Sequence, residues 1–278
     1  MLNHKIGLGT VQFGVPYGIS NSTGQTKPDE VGKILQYAIT NGITVLDTAS
    51  AYGNAEQVLG QNDLSKFNIV SKYISPAAGK SIEEQLQSTL AHLQAKKLYG
   101  YLAHRPSEIV EDASQWKTIK DFQQKELVEK VGFSLNTTEE LKVLLDKNFI
   151  PDLIQVPYNY FDNRFEDLMK RLKDKGCEIH TRSAFLQGLF FKDIHTLPGF
   201  FDAVKPLIKN VQQQTNNLSG ALLRYVATKA FIDKVIVGVE NVQQLQTNIS
   251  DLQIDFELEK NTTKIPEQIL MPSNWPKQ

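Results

Sequence analysis

At 278 residues the chain can form one large domain or two smaller ones, and its 41% hydrophobic and 22% charged residues are ordinary for a soluble globular protein with a sizeable core. Lys and Arg number 30 against 31 Asp and Glu, a formal net charge of −1, which gives neither the basic field a nucleic-acid partner needs nor a strongly acidic tail. The opening residues MLNHKIGLGTVQFG lack the apolar core of a signal peptide, no apolar run approaches the ~18 residues of a membrane span, and the single cysteine, Cys177, excludes an intrachain disulfide and fits a reducing cytoplasm.

Residues 6–10 read as a short first strand. Its glycines do not make a dinucleotide fingerprint, because Gln12 stands where the third glycine is needed and no helix is expected to start there. A Gly/Asn/Ser-rich loop covers 17–24. Pro28 then opens a helix with Val31, Ile34, Leu35 and Ala38 on one face, ended by Gly42. Residues 43–46 form a buried-strand run with Asp47 at its end. Tyr52 follows in a small-residue loop, and a helix signal occupies 56–60. A third strand, 68–71, ends at Lys72. Ser81 and Glu84 form a capping box for a helix striped by Ile82, Leu86, Leu90 and Leu93.

Strand 98–103 ends at His104, and a polar helical segment, 107–125, turns Trp116 inward. Strand 128–133, a second capping box at Thr137 and Glu140, and strand 152–156 come next. A helix from about 165 to 175 is stopped by Gly176, and strand 177–183 makes Cys177 a small buried hydrophobe. Residues 184–218 are too long for one connection and are rich in phenylalanine (Phe185, Phe190, Phe191, Phe200, Phe201), which argues for order. They either pack over the fold or wall a pocket. Strand 234–237 and helix 242–252 close the series, and the tail 255–278 has no helical periodicity.

Strands and helices in alternation predict an α/β fold with a parallel sheet, and eight strands at intervals of roughly 30 residues favour a single-domain (β/α)8 TIM barrel over 1–278. Singly, Asp47 is a turn cap and Tyr52 an ordinary amphipathic aromatic. A lysine and a histidine at the ends of the next two strands change that reading, because parallel strand ends share one face of a barrel. A tyrosine hydroxyl has an ordinary pKa of about 10, which a nearby ammonium lowers. Lys72 can supply that charge, Asp47 can hold Lys72, and His104 can donate a second hydrogen bond. The set suits polarising a carbonyl and then protonating the alkoxide formed when hydride arrives, and the hydride itself requires a nicotinamide cofactor.

The pieces LDTASAYGNAE, SKY, LAHRP, KVGFS, DLIQVPYN and VIVGVENVQQLQTN, in this order, resemble the aldo-keto reductases over nearly the whole chain. The resemblance implies an NADPH-dependent carbonyl reductase, with Tyr52 as general acid and Asp47, Lys72 and His104 in support. For the cofactor it implies Thr10, Ser134 and Gln155 near the nicotinamide, with Leu135 where an asparagine is usual. Arg182 takes the place of a tyrosine that stacks on the ring. It further implies Ser183, Leu186 and Gly188 in a pyrophosphate loop, and Gly238, Gln244 and Asn248 on the adenosine side. Residues 237–248 contain no Lys or Arg and do contain Glu240, so NADH is the alternative cofactor. The N-terminal hairpin usual in that family is expected to be missing or truncated, and the irregular stretches become candidate pocket walls.

The expected partner is a small-molecule carbonyl, sugar-derived or a small aromatic aldehyde, and the chain is expected to be a monomer without nucleic-acid or membrane partners. Two rival readings remain: a Schiff-base aldolase using Lys72, and a non-catalytic nicotinamide-binding sensor or regulatory subunit. His4, His92, His180 and His195 show no metal-ligand spacing, so no metal is expected.

Overall fold

The computed structural model describes residues 2–76 and 79–276. Eight strands, β1 Ile6–Gly9, β2 Val45–Asp47, β3 Asn68–Tyr73, β4 Leu98–Ala103, β5 Val128–Ser134, β6 Leu153–Pro157, β7 Glu178–Arg182 and β8 Lys234–Gly238, close in sequence order into one barrel. All pairs are parallel, and β8 returns to β1 with Gly7 opposite Ile236. The expected closed barrel is therefore the observed architecture.

Alternate residues of a strand face the same side, and this places the barrel contents in layers. Val45, Val70, Leu102, Leu153 and Ile236 form an apolar cluster of their own. Each stands two positions before a residue of the predicted site: Asp47, Lys72, His104, Gln155 and Gly238. The apolar layer thus lies directly beneath the site and keeps water from entering below it, each such side chain contributing roughly 1.5–3 kcal/mol on burial. The intervening residues, Leu46, Ile69, Tyr101, Val131, Ile154 and Val235 among them, face outward and pack with helix residues such as Ile34, Leu86, Leu144 and Met169. Both capping boxes form, with Ser81 and Thr137 each accepting from the backbone of the glutamate three residues on.

The structure corrects several expectations. A helix does start after β1: Val11–Gly14, one short turn. The segment 107–125 is two helices, Ser107–Glu111 and Ser114–Gln124, and Trp116 packs on Phe133 with ring centroids 5.1 Å apart. The region after β7 contains a helix, Lys205–Gln214, and a further helix, Leu218–Ala227, precedes β8. The second of these buries Gly220, Ala221, Leu222, Leu223, Val226 and Ala227, so it is apolar over most of its surface. The tail holds a short helix, Glu267–Leu270, and its last two residues lie outside the described residues. Cys177 lies just ahead of β7; it is buried, and burial raises its thiol pKa to about 12.

Most of the phenylalanine-rich stretch is packing. Phe190 and Phe201 are fully buried in a second apolar cluster with Ile208, Val211, Ile269 and Leu270, and Trp275 of the tail meets Phe201 edge-on at 5.1 Å. Ahead of β1 the described residues form a single 3-10 turn, Asn3–Lys5, and no hairpin. Toward that end of the barrel lies a polar layer instead, built by Tyr99, Lys130, Glu178 and His180.

Candidate active site

The loop carrying Tyr52 is set by close backbone approach. A Cβ on Gly14 would stand 1.7 Å from the Tyr52 carbonyl oxygen, and Gly53, at φ 56°, is pressed on the Gly14 carbonyl in the same way. Only glycines allow the turn after β1 to lie against this loop. The loop is tied on its other side to β3, since Ser50 donates to the Lys72 carbonyl from both its N–H and its hydroxyl, at 3.1 and 3.0 Å.

Lys72 is wholly buried. Its ammonium donates to both Asp47 carboxylate oxygens at 2.7 Å and to the Thr48 carbonyl at 2.9 Å, and it also bonds the Tyr52 hydroxyl. Burial works against the charged amine, but Asp47 outweighs it, and the Lys72 pKa is raised above its usual value. Asp47 also accepts from Gln155 Nε2 across the lumen at 2.6 Å. Tyr52 lies above this pair, with Lys72 Nζ 5.2 Å from its ring centroid. Its hydroxyl oxygen accepts from the Lys72 ammonium, and its proton has no acceptor among the described residues. His104 stands edge-on to the Tyr52 ring, centroids 5.8 Å apart. Burial, and then the positive charges of Lys72, Arg182 and Arg105, push the His104 pKa down to about 3, so the ring is a neutral imidazole near pH 7.

This arrangement decides one of the rival readings. A Schiff-base lysine needs an accessible amine that loses its proton easily. Lys72 is enclosed, fully hydrogen-bonded and shifted the other way.

A groove of about 810 Å³ opens at Tyr52 and Asp47 and runs between the loops that follow β1, β7 and β8. The predicted residues Thr10, Gln155, Arg182, Ser183, Gly188, Gly238, Gln244 and Asn248 line it. Lys72, His104, Ser134 and Leu186 do not. Lys72, Ser134 and Leu186 are buried behind the wall, and Ser134 pairs in register with Gln155. Phe185 and Phe191 are the phenylalanines of the long loop that reach the groove.

Sequence reasoning missed several wall residues. Gln12 is one: its Oε1 is buried without a hydrogen-bond partner. Tyr17 is another, its hydroxyl held by Gln187 Nε2 at 2.8 Å. With the Ile19 N–H donating to the Gln187 carbonyl at 3.0 Å, this bond joins the β1 loop to the β7 loop across the groove. Asn159, fully buried behind the wall, was missed as well: its amide donates to the Ser183 carbonyl at 3.0 Å and fixes that turn. Its position in the VPYN run was a usable signal, whereas Gln12 and Tyr17 lacked one.

The turn after β7 is strained. Ser183, Leu186 and Gln187 have φ of 65°, 47° and 53°, and Gly188 has 89°. Left-handed conformations at non-glycine residues concentrate at ligand clamps, and runs of them turn backbone N–H groups to one side, where an anion can bind. At the other end of the groove Asn241 caps helix Val242–Leu252 by accepting from Gln244 N–H, and the start of that helix lines the wall. Among the described residues no group of three or more His, Cys, Asp or Glu could hold a metal ion, and no helix is long and apolar enough to cross a membrane.

The profile of the aldo/keto reductase family matches residues 5–268. The chain belongs to that family. No curated protein matches it in sequence. Among solved structures it is similar to the holo form of an aldo-keto reductase from Bacillus halodurans, at 18% identity and a TM-score of 0.71 over 92% of this chain and 88% of that one. It is also similar to an aldo/keto reductase from Klebsiella pneumoniae solved with NADP and acetate, at 21% identity and a TM-score of 0.68, again over 92% and 88%. A Klebsiella aldo-keto reductase solved with NADPH gives 21% identity and a TM-score of 0.67 over 91% and 87%. In this aldo/keto reductase Asp47 ends β2, Lys72 lies one residue before the end of β3, His104 directly follows β4, and Tyr52 lies in the loop after β2.

Proposed function

We propose that the protein reduces an aldehyde or ketone to an alcohol with a nicotinamide cofactor. The observation that carries this reading is a wholly buried Lys72–Asp47 pair beneath a tyrosine that accepts from Lys72 and whose own proton has no protein acceptor, at the mouth of a long groove. The residues present fit the cofactor. The orphaned Gln12 Oε1 and the carbonyl of Gln155, whose amine is spent on Asp47, are acceptors for an amide. The strained turn 183–188 and the start of helix Val242–Leu252 suit its phosphates. The Klebsiella relatives hold NADP and NADPH. When bound, such a cofactor supplies the hydride that no side chain can give.

The chain's own residues do the rest. Tyr52 donates its hydroxyl proton to the substrate oxygen as negative charge develops there. The fixed Lys72 charge favours the resulting phenolate. Neutral His104 donates one hydrogen bond to the same oxygen without competing for the proton. Asp47 holds Lys72 in place and, through Gln155, ties the catalytic end to the wall on β6.

The cofactor is NADPH, and any preference over NADH is modest, within about 10- to 100-fold. No Lys or Arg lies within 237–248, and Gln244 already accepts from the Glu240 N–H at 2.8 Å. Loss of cofactor absorbance against a panel of sugar-derived and small aromatic aldehydes tests the activity. Absence of turnover with every carbonyl, despite tight cofactor binding, would overturn the reading in favour of a sensor.

A further inference from the structure

The fold partly buries three arginines, Arg164, Arg182 and Arg224. Arg164 is held by Asp162 and Glu267, and Arg224 by Asp255. Arg182 has no carboxylate within ion-pair distance among the described residues. Its recorded acceptors are all neutral: the Leu135 carbonyl at 3.0 Å, Asn136 Oδ1 at 2.6 Å and Ser183 Oγ at 3.3 Å. These three bonds fix the guanidinium and leave the Nε proton and one Nη1 proton without an acceptor.

Arg182 lines the groove together with Tyr17, Asp47, Tyr52 and Gln155. It is electrically close to the reacting end, since its charge adds to the burial that lowers the His104 pKa and opposes the burial that raises that of Tyr17. The acids of the groove wall are engaged elsewhere. Asp47 is bound by Lys72 and Gln155, Glu240 accepts from Thr23, and Asp251 accepts from Ser219. The catalytic end therefore carries a positive charge that the protein does not balance, and Arg105 adds a second, exposed cation beside His104. A partly desolvated guanidinium is stabilised by an anion, and its planar donor set suits a carboxylate.

We infer that the substrate is a carbonyl compound bearing a carboxylate, and that Arg182 is the residue that selects it. The inference rests on the carbonyl-reductase reading above and adds the charge class of the substrate. Isosteric pairs differing only in charge test it over a short and a long span: glyoxylate against glyoxylamide, and 4-formylbenzoate against 4-formylbenzamide.

The wild type should favour the carboxylate in at least one pair by about tenfold or more in kcat/KM, the scale of a charge-assisted contact. Arg182→Met should collapse that ratio whatever loss the two substrates share, and Arg182→Lys should retain part of it. Dissociation constants for NADPH, from fluorescence quenching of the same variants, separate a substrate role from a cofactor role. Turnover of the amides with no preference for either acid overturns the inference and leaves the reductase reading standing. An unchanged ratio in Arg182→Met with weakened NADPH binding assigns the charge to the cofactor and also overturns it. No turnover of any of the four compounds, with turnover elsewhere in the aldehyde panel, overturns the inference alone, and only failure of the whole panel takes the reductase reading with it.

Discussion

Each of the two ends of this barrel holds an acid, a lysine, a tyrosine and a histidine. At the groove end are Asp47, Lys72, Tyr52 and His104. At the opposite end are Glu178, Lys130, Tyr99 and His180. The resemblance extends to geometry, with Lys72 Nζ 5.2 Å from the Tyr52 centroid and Lys130 Nζ 4.9 Å from that of Tyr99. The hydrogen bonds differ. Tyr99 donates its proton to Glu178 at 2.6 Å and accepts from Lys130 at 2.8 Å, while Lys130 also meets Glu178 and His180 bonds the remaining carboxylate oxygen at 2.6 Å. Burial first, and then the Glu178 charge, raise the Tyr99 pKa.

Tyr52, by contrast, has no protein acceptor, because Asp47 is turned to Lys72 and Gln155. One set is closed and structural. The other leaves a proton available beside a fixed charge and opens on a groove. Composition alone does not make an active site; what matters is which donor is left unsatisfied, and where it points.

The largest expected effect separates the two lysines. Lys72→Met leaves the Asp47 carboxylate buried with Gln155 as its remaining side-chain donor, and removing one partner of such a pair costs about 3–5 kcal/mol. Turnover should also be abolished, and raising the pH should not restore reduction. Lys130→Met should cost less, because Tyr99 and His180 still reach Glu178, and it should leave turnover near the wild-type value. Urea denaturation with parallel kinetics checks both, and equal stability losses would show that the two pairs are held alike.

The tyrosines sharpen the contrast. Tyr52→Phe should lower turnover by at least ~100-fold while keeping cofactor affinity within a few-fold, the lower end of a general-acid contribution. Tyr99→Phe should do the reverse: near-normal turnover, but a stability loss of about 1–3 kcal/mol for a buried carboxylate that loses a donor. Substantial turnover in Tyr52→Phe would remove that hydroxyl from the chemistry.

The catalytic end was legible in the sequence and the closed end was not. Asp47, Lys72 and His104 stand within one residue of the ends of consecutive strands, so parallel pairing brings them together without further information. Tyr99, Lys130, Glu178 and His180 come from β4, β5 and β7 and meet only because the barrel closes on itself; read singly, they carry no shared signal. The Asp47–Gln155 bond joins residues 108 apart for the same reason. The capping boxes were readable because their bonds span three residues. Helix Leu218–Ala227 was not, because no side-chain cap marks its start. Phe185 and Phe191 were not separable from Phe190 and Phe201 by composition; packing under the tail decides which of them face the groove.

The smallest effect concerns the histidines, whose surroundings have opposite charge. His180 bonds a carboxylate, whereas His104 faces the cations Lys72, Arg182 and Arg105 as well as the neutral Tyr52 ring. In the folded state the His104 pKa is depressed to about 3, against an ordinary value of 6.5 for the unfolded chain. Between these two values the unfolded chain binds more protons than the native one, so stability rises with pH across that window. The contribution is fully present above about pH 6.5 and is lost progressively as the pH falls toward 3. From pH 7 to pH 5 this one group should cost the wild type about 2 kcal/mol. His104→Gln removes the titration, so its unfolding free energy should fall by that much less over the same interval, whatever the substitution does at pH 7. Urea unfolding of both proteins at the two pH values measures the difference, and parallel losses would mean that His104 is not held neutral by its neighbours.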